Sequence, residues 1–157
     1  MISLKSQHAK SYPCTIEIAT GLFYVSSSRN GHLAKTPMIS VIDDDETVRK
    51  ATKSLLRSLG YGAEAFASAE DFLESDLLHR SSCLISDVQM PGMNGLELQS
   101  LLIAEGHRLP IIFITAYPEA RARARALKAG ALGFLSKPVS EEAVVTCLTE
   151  ALKEQAS

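Results

Sequence analysis

From Met38 onward the chain alternates five times between a short apolar run and a segment of helical periodicity. Few patterns restrict a fold as much. Strands joined through helices lie parallel, and a parallel sheet must be covered by helices on both faces. Right-handed crossovers then leave a doubly wound α/β sandwich built on a five-stranded parallel sheet.

The units read as follows. Met38 to Ile42 is a buried strand that stops at acidic residues. A helix follows over Asp45 to Leu59, with Val48, Ala51, Leu55, Leu56 and Leu59 near 3.6-residue spacing. Gly60-Tyr61-Gly62 ends it. Ala63 to Ala67 is a weak strand, and Ser68 caps a helix through Leu78, with Asp71 as an acidic variant of the capping box. Cys83 to Ser86 is a short strand ending at Asp87. The turn-rich Pro91-Gly92-Met93-Asn94-Gly95 leads to a helix over Leu96 to Glu105. Ile111 to Ile114 is a strand ending at Thr115, and a helix over Pro118 to Ala129 stops at Gly130. Leu132 to Leu135 is the last strand, just before Lys137-Pro138. Ser140 caps the last helix, with Glu141 and Glu142 favourably placed against its dipole.

Residues 1–37 lack this order. They carry Lys5, Lys10, Arg29 and Lys35 against Glu17, whereas the whole 157-residue chain has a net charge of -2. The asymmetry marks a boundary near residue 37 and divides the chain into an N-terminal extension (1–37), expected to be flexible, and one domain (38–157). Within the extension, Ile16 to Val25 has the makings of a strand; Met38 is an alternative start. Hydrophobic residues at 46% suffice for one core. Cys14, Cys83 and Cys147 are odd in number, widely spaced and without CxxC spacing, which suggests neither a disulfide framework nor a zinc site and fits a reducing cytoplasm. Cys83 and Cys147 read as buried structural thiols. No apolar stretch reaches ~18 residues, and Glu17 interrupts any signal-peptide core, so neither a membrane span nor secretion is expected.

The chemistry collects at strand ends. Asp43 and Asp44 follow the first strand, Asp87 the third, Thr115 the fourth, and Lys137 lies just beyond the fifth. Open parallel sheets bind ligands outside the carboxyl ends of their strands. Three clustered carboxylates call for a cation, and hard oxygen ligands suit Mg²⁺. Lys137 adds a positive charge and Thr115 a neutral donor. This is equipment for phosphoryl transfer, where positioning and charge neutralisation do most of the work. Each residue alone has a plainer reading: Asp43 and Asp44 as a solvated helix start, Thr115 as a strand-end hydroxyl, Lys137 as a surface lysine. Their coincidence at one edge favours the site. Asp45 and Glu46 read as dipole partners of the helix.

Val41-Ile42-Asp43-Asp44-Asp45-Glu46, Ile85 to Gly95, Ile114-Thr115-Ala116 and Ser136-Lys137-Pro138, taken in order, resemble the signature segments of response-regulator receiver domains, closest to the FixJ-type branch. The resemblance spans about residues 38–155 and implies the CheY-like strand order 2-1-3-4-5. It implies that Asp87 is the phospho-acceptor. Mg²⁺ would be bound by Asp44, Asp87 and the backbone carbonyl of Gln89, with Asp43 acting directly or through water. Lys137 would pair with phosphoryl oxygens, across a cis bond to Pro138. Thr115 and Phe134 would form the switch, Phe134 lacking the hydroxyl of the common tyrosine; core packing serves Phe134 equally well. The bulk of Tyr117, two residues beyond Thr115, is expected to hinder hydrolytic water.

The expected function is a single-domain response regulator of a two-component phosphorelay, not an enzyme in the usual sense. It would be phosphorylated by a sensor histidine kinase or phosphotransfer protein and be read by an unknown downstream protein or a second copy, through contact and not through nucleic acid or membrane. The chain ends at Ser157, directly after the last receiver helix, so it is expected to be either a naturally single-domain regulator or a fragment of a longer one. Two other readings are an aspartate-nucleophile, Mg²⁺-dependent phosphohydrolase and a degenerate receiver scaffold. Against the first stand the missing cap segment and the nucleophile's place after the third strand; against the second, the full set of site residues. Arg121, Arg125 and Lys128 share a helical face that is a solvated surface or a docking surface. His8, His32, His79 and His107 are scattered and read as surface residues.

Overall fold

This computed structural model describes residues 14–18, 21–25 and 36–156, with side chains for 36–153. Of the flexible leader expected over 1–37, only residues 14–18, 21–25 and 36–37 are among the described ones. Within it, β1 (Cys14–Ile18) and β2 (Gly21–Val25) form an antiparallel hairpin that sets Cys14 opposite Val25. The single strand expected over Ile16 to Val25 is therefore two. Folding back gives each strand's backbone donors and acceptors a partner that one isolated strand lacks.

The remaining strands are β3 (Met38–Ile42), β4 (Gly62–Phe66), β5 (Cys83–Ser86), β6 (Ile111–Thr115) and β7 (Gly133–Ser136). They lie in the order β4-β3-β5-β6-β7 with every pairing parallel. Counted from Met38, that is 2-1-3-4-5, the expected winding. Strand periodicity divides the core in two. Ile39, Val41, Ile85, Ile112 and Ile114 face α1 (Glu46–Ser58) and α6 (Glu141–Ala156), where Leu56, Val144 and Leu148 meet them. Ile42, Leu84 and Phe113 face the opposite way, toward Phe72, Leu98, Leu102 and Ala126. Full burial of one such aliphatic or aromatic side chain stabilises the fold by roughly 1.5–3 kcal/mol.

The helices begin where side chains satisfy their free amides. Asp45 caps α1, accepting from the amides of Thr47 and Val48. Ser68 caps α2 (Ala69–Leu73) through the Asp71 amide. Asn94 and Glu97 form a reciprocal capping box on α4 (Gly95–Ala104), which the sequence reading did not identify. Ser140 accepts from Ala143 at the start of α6.

The single helix expected from Ser68 to Leu78 is broken into α2 and α3 (Leu77–Arg80). Ser75 breaks it: its hydroxyl donates to the Phe72 carbonyl and accepts from the Leu77 amide, so the side chain competes with the helical ladder. α5 (Ala120–Lys128) starts two residues later than Pro118 and is capped by Glu119 without a side-chain bond.

Cys83 is fully buried, and burial pushes its thiol up to about 12. Cys147 is only half-buried, which corrects the reading of it as a core thiol. It lies at the α6–β7 contact, where a Cβ on Gly133 would stand 2.7 Å from its Sγ. No helix among the described residues is long and apolar enough to cross a membrane.

Candidate functional site

The winding carries four strand ends to one edge. Asp43 and Asp44 follow β3, Asp87 follows β5, Thr115 ends β6, and Lys137 follows β7. One carboxylate oxygen from each of Asp43, Asp44 and Asp87 lies within 4.8 Å of the others. Asp43 and Asp87 are buried, and Asp44 is exposed. The buried pair faces inward because β3 and β5 are adjacent and in register, and each chain leaves the sheet at an acid. The Asp87 amide donates to the Ile42 carbonyl, which continues the ladder one residue past the strand.

Lys137 closes the group. Its ammonium donates to Asp43 Oδ2 at 2.7 Å and to Asp87 Oδ2 at 2.9 Å. The other oxygens are also engaged: Asp43 Oδ1 accepts from the Asp45 amide, and Asp87 Oδ1 from the Gln89 amide. Burial works to lower the Lys137 pKa, but hydrogen bonds and charge from Asp43 and Asp87 outweigh it, and the pKa stands above that of an ordinary lysine. The stabilisation this pairing provides is present below the unfolded lysine's value, about 10.4, and is lost as pH rises through the raised native one. Lys137 is therefore a cation across the neutral range. The bond from Lys137 to Pro138 is cis, as the resemblance implies.

Three acids against one ammonium leave the cluster with excess negative charge. Oxygen donors this close, with one acid still open to solvent, fit a hard divalent cation that retains part of its water shell.

Thr115 is fully buried, and its hydroxyl accepts from the Tyr117 amide at 3.1 Å. The oxygen is thereby oriented while the hydroxyl hydrogen stays available to a new acceptor. Tyr117 itself is 66% exposed, outside the core. Phe134 is buried, its ring 6.1 Å from that of Phe113. Its carbonyl accepts from Arg123 of α5 at 3.3 Å, so the core position is also wired to the arginine-bearing helix. Arg121, Arg125 and Lys128 are exposed, and Arg125 reaches Ser100 of α4.

Several contributors escaped the sequence reading. Arg49 donates to the Asp43 carbonyl at 2.8 Å. The Ser86 hydroxyl donates to the Asp87 carbonyl at 2.8 Å. Gly92 and Gly95 read alike in sequence, as flanks of a turn, but differ in kind. Gly92 has φ +76°, a value suited to the third position of a type II turn. Gly95 is a close approach: a Cβ there would collide with the Asp87 carbonyl oxygen and stand 2.9 Å from Phe113 Cε1. Gly95→Ala is expected to cost about 2 kcal/mol by overpacking, against about 1 kcal/mol for Gly92→Ala. Urea denaturation of the pair measures both; equal costs would mean that the Asp87 backbone yields freely.

His79 and His107, read as unrelated, have ring centroids 5.5 Å apart. They line a cavity of about 320 Å³ with Ser81 and Arg108. That cavity opens at the amino edge of the sheet, before β5 and β6, away from the acids.

A doubly wound sheet with an acidic trio, a strand-end threonine and a bridging lysine is the arrangement of a receiver-type domain. The sequence matches the response regulator receiver domain family over residues 39–149, and the chain belongs to that family. It is 39% identical over 142 residues to the response regulator protein TodT of Pseudomonas putida, covering 90% of this chain and 58% of TodT. The crystal structure of the FixJ N-terminal domain superposes with TM-score 0.69 at 29% identity, over 76% of this chain and 96% of that one. The structure of response regulator StyR does so with TM-score 0.69 at 42% identity, over 78% of this chain and 62% of that one. The chain thus carries the receiver domain of two-component response regulators and spans little more than half the length of relatives such as TodT.

Proposed function

We propose that this chain is a cytoplasmic phosphorylation switch whose acceptor is Asp87. The observation that carries the reading is Lys137, which holds Asp43 and Asp87 together across the carboxyl edge. An Asp87 oxygen attacks the phosphorus of a phosphohistidine on a histidine kinase or phosphotransfer protein. The P–O bond forms as the P–N bond breaks, and the departing imidazole recovers its lone pair.

Asp43, Asp44, Asp87 and the Gln89 carbonyl would hold Mg²⁺, which when bound supplies charge neutralisation for the phosphoryl oxygens. Lys137 is placed to trade its hold on Asp87 for the new phosphoryl oxygens. Thr115 turns its free hydroxyl hydrogen to the same group. Phe134 and α5 follow, because Arg123 ties the Phe134 backbone to that helix. Output from this region is by protein contact, with a partner or a second copy reading the altered face.

The test is phosphotransfer. Acetyl phosphate with Mg²⁺ and a panel of phosphorylated histidine kinases should each leave one base-labile, hydroxylamine-sensitive phosphoryl group per chain. Sustained turnover of simple phosphoesters would instead establish a phosphohydrolase. Tyr117 provides a second check. Its exposed ring stands two residues past Thr115, and Tyr117→Ala should shorten the phosphoprotein's half-life several-fold, on the order of the contribution of one water-excluding side chain. An unchanged decay rate would remove Tyr117 from the account.

A further inference from the structure

We infer that Glu70, on α2, is a positioning residue for the metal-binding loop that follows Asp87; this rests on the receiver reading above. The loop from Val88 to Asn94 carries Gln89, the proposed carbonyl ligand. Its two ends are fixed locally. The Gly95 amide donates to the Val88 carbonyl at 2.8 Å, and the capping box holds Asn94. Next to the capping box the loop is also held from outside: the Met93 amide donates to Glu70 Oε2 at 2.9 Å, across 23 residues of sequence.

The fit is close. Gly92, at φ +76°, turns the chain so that the Met93 amide points at α2, and a Cβ on Gly92 would stand 2.9 Å from the same Glu70 oxygen. Glu70 lies in the first turn of α2, so it also complements that helix's dipole. A dipole role alone would be met by any orientation toward the helix amides. Here the carboxylate instead reaches across to a different loop. Ser68 already caps α2, which leaves Glu70 free to do so.

A carboxylate on a backbone amide is a charge-assisted bond, stronger than a neutral one. Its loss would free the loop to sample orientations in which the Gln89 carbonyl points away from the acids. Residues that orient ligands in this way change metal affinity without touching the metal.

The experiment titrates MgCl₂ into the full chain by isothermal calorimetry and follows amide exchange by NMR. Glu70→Ala should bind Mg²⁺ about tenfold more weakly than the parent chain and should accelerate exchange of the Met93 amide. Glu70→Gln keeps an acceptor oxygen and loses the charge, and it should recover most of both. Glu70 is exposed, so both variants should keep the parent's near-UV and far-UV spectra. Parent-like Mg²⁺ binding by Glu70→Ala would overturn the inference. So would Glu70→Gln as weak as Glu70→Ala, since charge and not the hydrogen bond would then be at work. If the parent chain itself binds no Mg²⁺, the proposed Mg²⁺-dependent switch fails. Met93 exchange then decides separately whether the clamp exists.

Discussion

Asp87→Asn is expected to accept no phosphoryl group from acetyl phosphate or from any phosphorylated kinase, and at the same time to unfold at higher urea than the parent chain. The first effect follows from chemistry: an amide oxygen at this position is not a nucleophile for phosphorus. The second follows from charge. Asp87 lies among two other carboxylates and one ammonium. Removing its charge relieves two repulsions and gives up one attraction. At such separations a like-charge pair costs up to about 4 kcal/mol at an effective dielectric near 20. The exposed Asp44 is screened by solvent, so the net gain should be about 1 kcal/mol. Saturating Mg²⁺ should reverse the order, because the parent binds it more tightly in the native state and is stabilised accordingly. Urea titrations with EDTA and with MgCl₂ give the comparison. A loss of stability in EDTA would mean that Asp87 is a structural carboxylate that the fold depends on.

The expected gain reveals why this site could be read before its coordinates. Asp43, Asp44, Asp87, Thr115 and Lys137 share no periodicity and no local motif. They share a position, the last residue of a strand or the one or two after it, and the strands were legible from runs such as Ile111-Ile112-Phe113-Ile114. Parallel winding then carries all five to one edge. Fold and site were therefore legible together, from the same alternation.

What escaped the sequence depends on distances across packed elements. Gly95 and Gly92 are indistinguishable as letters, because only the approach of the Asp87 carbonyl separates them. Glu70 resembles any acid at a helix start until Met93 is seen to point at it. Arg49 reaches back six residues to a carbonyl, a contact that the helical pattern of α1 does not encode. Ser75 broke a helix because its hydroxyl found backbone partners, although its neighbours kept helical spacing. The His79 and His107 rings meet because α3 and the turn after α4 lie at the same sheet edge.

Lys137→Met separates function from stability in the opposite direction. The Lys137 side chain is about one-fifth exposed, and its ammonium is the cation shared by two buried acids. Without it, Asp43 and Asp87 face each other uncompensated. In EDTA the variant should lose about 3 kcal/mol, the cost of removing one partner from a buried pair. It should bind Mg²⁺ at least as tightly as the parent, because a competing cation has gone. Phosphoryl acceptance should nevertheless fall about a hundredfold, the usual loss when one donor to a developing oxyanion is removed. The same urea and Mg²⁺ titrations, with initial rates from acetyl phosphate, measure all three. Asp87→Asn and Lys137→Met thus both abolish or cripple phosphorylation while moving stability in opposite directions. A structural ion pair would make both substitutions destabilising. Opposite signs are the mark of a site kept short of positive charge, where a bound metal would supply the missing charge and an incoming phosphoryl group would draw on it. If Lys137→Met accepted phosphoryl groups at the parent's rate, Lys137 would be a counter-ion of the unphosphorylated fold and nothing more.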